Sequence, residues 1–192
     1  VKPCYQLFIN NLKKFFMSYQ SIEELYRSGN IAAAKAALVE ALKNNTLTAV
    51  EKKSVIRLNS EPLLEAYVAF MPPEPKKWEI MEIVHTGNVK IIDSLEVAEF
   101  PVAAQQELLK LNDVDIFRRR FKRYPKVKFC NRVDVFIIRS GDRKFAAAYL
   151  AANWLDREVE EALLDSNDLE LIRCYFNKYE EYIKLLRREQ GY

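Results

Sequence analysis

Ile137-Ile138-Arg139-Ser140-Gly141-Asp142-Arg143-Lys144-Phe145-Ala146 decides the fold of this chain. Paired apolar residues stand on either side of a glycine and an acid, at the spacing of one helical face. Glycine adopts positive φ without steric cost and stops a helix; the aspartate accepts from an orphan N–H at the start of the next. The stretch predicts two helices doubling back on each other around Gly141 and Asp142.

The same punctuation recurs at Gly29-Asn30, Asn59-Ser60, Gly87-Asn88, Asn112-Asp113 and Asn167-Asp168, and it takes up three of the four glycines. With the first residue of each pair as zero, the six junctions lie 30, 28, 25, 29 and 26 residues apart. A loose period in this range marks stacked supersecondary units. Four and three residues before zero stand Leu25/Tyr26, Val55/Ile56, Ile83/Val84, Leu108/Leu109, Ile137/Ile138 and Leu163/Leu164. Four and five residues after it stand Ala33/Ala34, Leu63/Leu64, Ile91/Ile92, Ile116/Phe117, Phe145/Ala146 and Leu171/Ile172. Ser21 with Glu24 and Thr48 with Glu51 fit capping boxes, Pro101 fits a first-turn proline, and Asn131 and Asp156 suit caps of the fifth and sixth units.

Helices of about ten residues are marginal alone, and stacking supplies the cover that each apolar stripe lacks. The expected fold is all-α: a right-handed superhelix, or solenoid, of about six stacked helical hairpins plus an N-terminal helix, with one continuous core. The expected organisation is a single domain over 1–192, with a helix at 4–19 and repeats at roughly 21–46, 48–71, 76–98, 101–124, 131–153 and 156–190. The proline-rich Met71–Pro75 segment suits a loop between the second and third repeats.

At 49% hydrophobic content the chain can bury a sizeable core, and its net charge is only +3. No apolar run approaches the roughly 18 residues that span a bilayer. Cys4, Cys130 and Cys174 lack pairing or metal spacing, so reduced thiols and a cytoplasmic location are expected, although the chain begins at Val1 and a removed leader stays open. The single histidine, His85, shares its register with Arg27, Arg57 and Arg139, which points to a surface position at a helix C-terminus. Without further imidazoles or clustered thiols it builds no zinc site, and no nucleophile elbow, phosphate loop or dinucleotide fingerprint accompanies it. Neither a cofactor nor a metal is expected, and enzymatic activity is not.

From Arg118 to Arg132 the chain carries eight Lys or Arg in fifteen residues and no acid. Ile116, Phe117, Phe121 and Tyr124 mark the buried side of that helix. Arg118, Arg119, Lys122 and Arg123 then project outward, and Lys126, Lys128 and Arg132 continue the patch. Such a patch suits a phosphate backbone, whereas pairing with acids one unit away, such as Glu158, Glu160, Glu161 and Asp165, would make it structural. A second candidate is a partner groove rimmed by Tyr67, Tyr149 and Tyr175, with Arg120 at the same register; packing between successive second helices is its alternative.

The two-helix unit with its Gly/Asn-Asn/Asp turn resembles the helical-hairpin α-solenoids that include HEAT, armadillo and leucine-rich-variant repeats. Glu107–Phe117 and Glu161–Ile172 are similar to bacterial repeat units of the form E-x-L-L-x-S-G-[ND]-x-x-L-[IL]. The resemblance implies a non-enzymatic binding scaffold, with a protein or peptide as the leading partner and nucleic acid as the alternative, and it carries over no catalytic residue. A HEAT-like base-repair enzyme is a third possibility, needing Trp78 or Trp154 beside a carboxylate in a deep groove.

Overall fold

The computed structural model describes residues 21–189, and every regular element among them is α-helical. α1 covers residues 21–27. It is followed by α2 (Ile31–Lys43), α3 (Ala49–Arg57), α4 (Glu61–Ala69), α5 (Lys77–His85), α6 (Val89–Ser94), α7 (Val102–Leu109), α8 (Val114–Arg123), α9 (Asn131–Arg139), α10 (Arg143–Ala152), α11 (Arg157–Asp165) and α12 (Leu169–Glu189). The helix expected at 4–19 and Cys4 lie outside the described residues.

All six junctions fall between helices, and the first residue of each has positive φ: Gly29 82°, Asn59 49°, Gly87 66°, Asn112 50°, Gly141 80° and Asn167 53°. The second residue caps in five cases. Asn30 accepts from the Ala33 N–H, Asn88 from Ile91, Asp113 from Asp115, Asp142 from Phe145, and Asp168 from Glu170 and Leu171. Each such cap is worth about 1 kcal/mol. Ser60 departs from the expectation and makes no side-chain cap. Two residues on, Pro62 has no N–H to give, and the Leu63 N–H already reaches the Ser60 carbonyl at 3.0 Å.

A hydroxyl just before zero adds a second stitch. Thr86, Ser140 and Ser166 each donate to the carbonyl three residues back and accept from the N–H two residues on. Among the first helices, Thr48 and Glu51 form the expected capping box. Three other starts shift by a residue or more: Ser21 is already helical, Pro101 is the cap of α7, and Asn131 is the first residue of α9, with Cys130 at its cap. Asp156 caps α11 without a side-chain bond.

The chain divides into two compact units, Val1–Val97 and Ala98–Tyr192, the break falling between the third and fourth hairpins. In the first, α2 packs on α4, α4 on α6 and α3 on α5. In the second, α7 packs on α9, α9 on α11 and α10 on α12. Within each unit, therefore, first helices meet first helices and second helices meet second. Val55, Leu63 and Leu64 in the first unit, and Ile137, Ala146 and Leu163 in the second, are buried at the junction-flanking positions. Each buried Val, Leu or Ile among them contributes roughly 1.5–3 kcal/mol when fully covered, and the Ala146 methyl less. Residues 71–75 form a loop inside the first unit, and Lys126–Phe129 makes no strand. His85 is exposed at the last position of α5.

Candidate binding surfaces

Tyr149 and Tyr175 stand eight residues after their junctions, on α10 and α12, and are completely buried. Each hydroxyl is fixed from two sides. Tyr149 accepts from the Phe129 N–H (3.1 Å) and donates to Asp134 (2.7 Å); Tyr175 accepts from the Leu155 N–H (3.1 Å) and donates to Glu160 (2.7 Å). The partners lie 20 and 15 residues back in both cases, so this is one device used twice. Tyr67 on α4 is buried as well, but its hydroxyl donates forward to Glu79 of the next hairpin (2.7 Å). The register position that holds Asp134 and Glu160 is occupied here by Lys52, which cannot accept. Burial pushes all three phenols above the ordinary tyrosine range, with the carboxylate neighbours of Tyr67 and Tyr149 adding to it, and keeps them neutral.

The expectation of a tyrosine-rimmed groove is thereby corrected. Tyr67, Tyr149 and Tyr175 turn their hydroxyls inward, because an exposed phenol would leave the carboxylates and loop N–H groups beneath it unsatisfied. Arg120 is buried at the same register, with its guanidinium 3.7 Å from the Phe100 ring centroid and 5.7 Å from that of Tyr124. Gln105, in the place of Asp134 and Glu160, donates to the Phe100 carbonyl and accepts from the Cys130 N–H, both at 2.8 Å.

Arg118, Arg119, Lys122, Arg123, Lys126, Lys128 and Arg132 are all exposed. Several also serve the fold. Arg118 bridges Asp115 on its own helix (2.5 Å) and Asp142, the cap of α10 (2.8 Å). Arg119 lies 4.0 Å from Asp113, and Lys128 lies 3.3 Å from Asp156, the cap of α11. Lys122, Lys126 and Arg132 form no ion pair with a described residue. Arg132 borders an open depression of about 420 Å³ shared with Gln106, Cys130, Asn131 and Glu158.

The last hairpin differs from the fifth. Three residues before zero, Ile138 is 5% exposed and Leu164 48%; nine residues after zero, Leu150 is 0% exposed and Phe176 37%. Leu169 and Ile183 extend this apolar surface along α12, whereas Tyr182 and Leu185 are exposed on the opposite side of the helix. Trp154 packs edge-on to Tyr179 and Tyr182, at 4.7 and 5.7 Å between centroids. Lys178 donates to the Leu150 and Asn153 carbonyls and lies over the rings of Trp154 (4.4 Å) and Tyr175 (4.2 Å). Burial holds its ammonium pKa down to about 8. The other tryptophan, Trp78, is half-buried, with the Lys53 ammonium 5.3 Å from its ring. In the first unit, Val68, Met71, Pro72, Leu95 and Val97 help line a cavity of about 500 Å³.

No family model, curated protein or solved structure matches this chain. Among the described residues, no helix is long and apolar enough to cross a membrane, and no three His, Cys, Asp or Glu are grouped to hold a metal. Asp134 and Glu79 are buried acids that the composition does not single out, and Glu160, expected beside the basic patch, instead holds Tyr175 and Tyr179; a signal for two of the three lies in the sequence. An acid seven residues before zero and a tyrosine eight residues after it occur together in the fifth and sixth hairpins.

Proposed function

We propose that this chain is a non-enzymatic binding scaffold of the HEAT, armadillo and leucine-rich-variant kind, acting on another protein in the cytoplasm. The observation that carries the reading is the exposed face of the last hairpin, where Leu164 and Phe176 stay large and apolar at positions where the fifth hairpin buries Ile138 and Leu150. A contiguous exposed apolar face of this kind marks a surface that another chain covers. The test places a photo-crosslinking residue at position 164 or 176, with position 144, the exposed Lys144, as control, in the native cells. Protein adducts at 164 and 176 but not at 144 are expected. Adducts at none of the three, or equally at all, would overturn the reading.

Nucleic-acid binding is a second reading, favoured by one observation: Lys122, Lys126 and Arg132 are exposed without an ionic partner among the described residues. Affinity for a random-sequence duplex would then fall steeply with salt and vanish when the three are changed to Glu. Binding that ignores both changes, or no binding at low salt, would remove it.

A further inference from the structure

The uncovered face has a definite chemical pattern. Inside each unit, a second helix meets the next through residues two, six and nine positions after zero. On α8 these are Val114, Arg118 and Phe121; Arg118 reaches Asp142, and Phe121 packs on Phe145 and Tyr149. On α10 they are Arg143, Ala147 and Leu150; Arg143 reaches Asp168 (2.8 Å), and the Ala147 carbonyl accepts from the Cys174 thiol. On α4 they are Glu61, Glu65 and Val68, and Lys90 of α6 answers both acids. Each of these strips carries one sign of charge, matched by the opposite sign on the next helix.

On α12 the same positions are Leu169, Arg173 and Phe176, and the strip continues through Glu180 and Ile183. At about 100° per residue the five fall within about 80° of one another. They face away from Leu171 and Tyr175, which are buried, and from Lys178, which reaches back to α10. Arg173 and Glu180 are both exposed, and neither pairs with a described residue. Over its first three positions this strip is single-signed like the others. Because α12 runs on to Glu189, the longer strip adds Glu180 and Ile183 and carries both signs, in the order apolar, cation, apolar, anion, apolar. Reversed, the order is the same with the charges exchanged, which is what a surface needs to recognise its own copy antiparallel.

We infer that this strip of α12 is a two-fold interface with a second copy of the chain. With Phe176 at the crossing, Leu169 of one copy meets Ile183 of the other, and Arg173 meets Glu180, each pair formed twice. The inference rests on the protein-binding scaffold reading and names the partner for the same face. A single-signed foreign helix would satisfy Arg173 or Glu180 but not both.

Sedimentation velocity on the full chain over about 1 to 100 µM tests it. The wild type is expected to pass from monomer to dimer within that range. Arg173→Glu and Glu180→Arg each oppose like charges and are expected to weaken the dimer about tenfold or more. The combined R173E/E180R chain, with the pairs restored in reversed sense, is expected to return to within about threefold of the wild type. Far-ultraviolet circular dichroism and the urea midpoint check that the exposed substitutions leave the fold unchanged. A monomer throughout, or a dimer indifferent to the single changes or not restored by the double, overturns the inference. A monomer whose position 176 still crosslinks to another protein overturns only self-association; a monomer that crosslinks to nothing there removes the scaffold reading too.

Discussion

The fifth and sixth hairpins, α9–α10 and α11–α12, use the same tyrosine device in unlike surroundings. Asp134 is 1% exposed; its Oδ1 accepts from Tyr149, and its buried Oδ2 has no hydrogen-bond partner among the described residues. Burial pushes its carboxyl up to about 6, against the opposing hydrogen bond from Tyr149. Glu160, one methylene longer, is only half-buried and accepts from two phenols, Tyr175 and Tyr179, at 2.7 Å each. The place of Tyr179 is taken in the fifth hairpin by Asn153, which bonds to the Tyr149 carbonyl instead. The same register thus makes a sealed, under-satisfied acid inside the unit and a shared, partly exposed one in the last hairpin.

The sharpest way to break this comparison is to remove one hydroxyl from each hairpin. Tyr149→Phe strands the Phe129 N–H and the Asp134 carboxylate out of reach of water and is expected to cost about 3 kcal/mol in urea unfolding. An equal loss for Tyr175→Phe would show that the two sites are energetically the same.

The next effect is a pH dependence confined to the fifth hairpin. The Asp134 carboxyl titrates near 6 folded and near 3.9 unfolded, so the folded state holds the proton more tightly. The stability it contributes is complete below about pH 4 and is lost as pH rises through about 6. Relative to Asp134→Asn, the wild type is therefore expected to lose about 2–3 kcal/mol between pH 4 and pH 7, read as the difference between their urea curves. Parallel curves would mean that Oδ2 is hydrated after all. Tyr175→Phe comes third, at about 1–2 kcal/mol, because it strands the Leu155 N–H but leaves Tyr179 holding Glu160.

The smallest effects lie in the turns, where the two hairpins use different residues at the same positive-φ position, Gly141 at 80° and Asn167 at 53°. Gly141→Asn and Asn167→Gly are each expected to shift stability by less than about 0.5 kcal/mol, whereas Gly141→Ala costs about 1 kcal/mol. A Cβ at Gly141 meets nothing within 4 Å, so that cost isolates backbone conformation from packing.

The helices and their reversals were legible because their signals are local. A positive-φ residue, a capping side chain and flanking aliphatic pairs act within one turn of the chain, and Gly141-Asp142 folds as its own sequence dictates. Ser60 departs from the pattern because Pro62, a neighbour outside the repeat signature, changes which donors remain. The tyrosine positions were legible but their direction was not. Whether a phenol faces water or a carboxylate depends on groups 15 and 20 residues away, and only the folded hairpin brings them together. The basic run was visible as composition, while the attachment of Arg118 to Asp142 and of Lys128 to Asp156 required knowing which hairpin follows.

Asp142 and Asp168 each close the start of a helix and also hold an arginine sent from the preceding hairpin. Nucleation of one repeat is thereby wired to the presence of its predecessor. Fraying at a helix start loosens a contact one repeat upstream, and deletion of a repeat deprives its successor of a counter-ion at its weakest point. Hydrogen exchange would see such an array open in runs of neighbours, not as isolated hairpins.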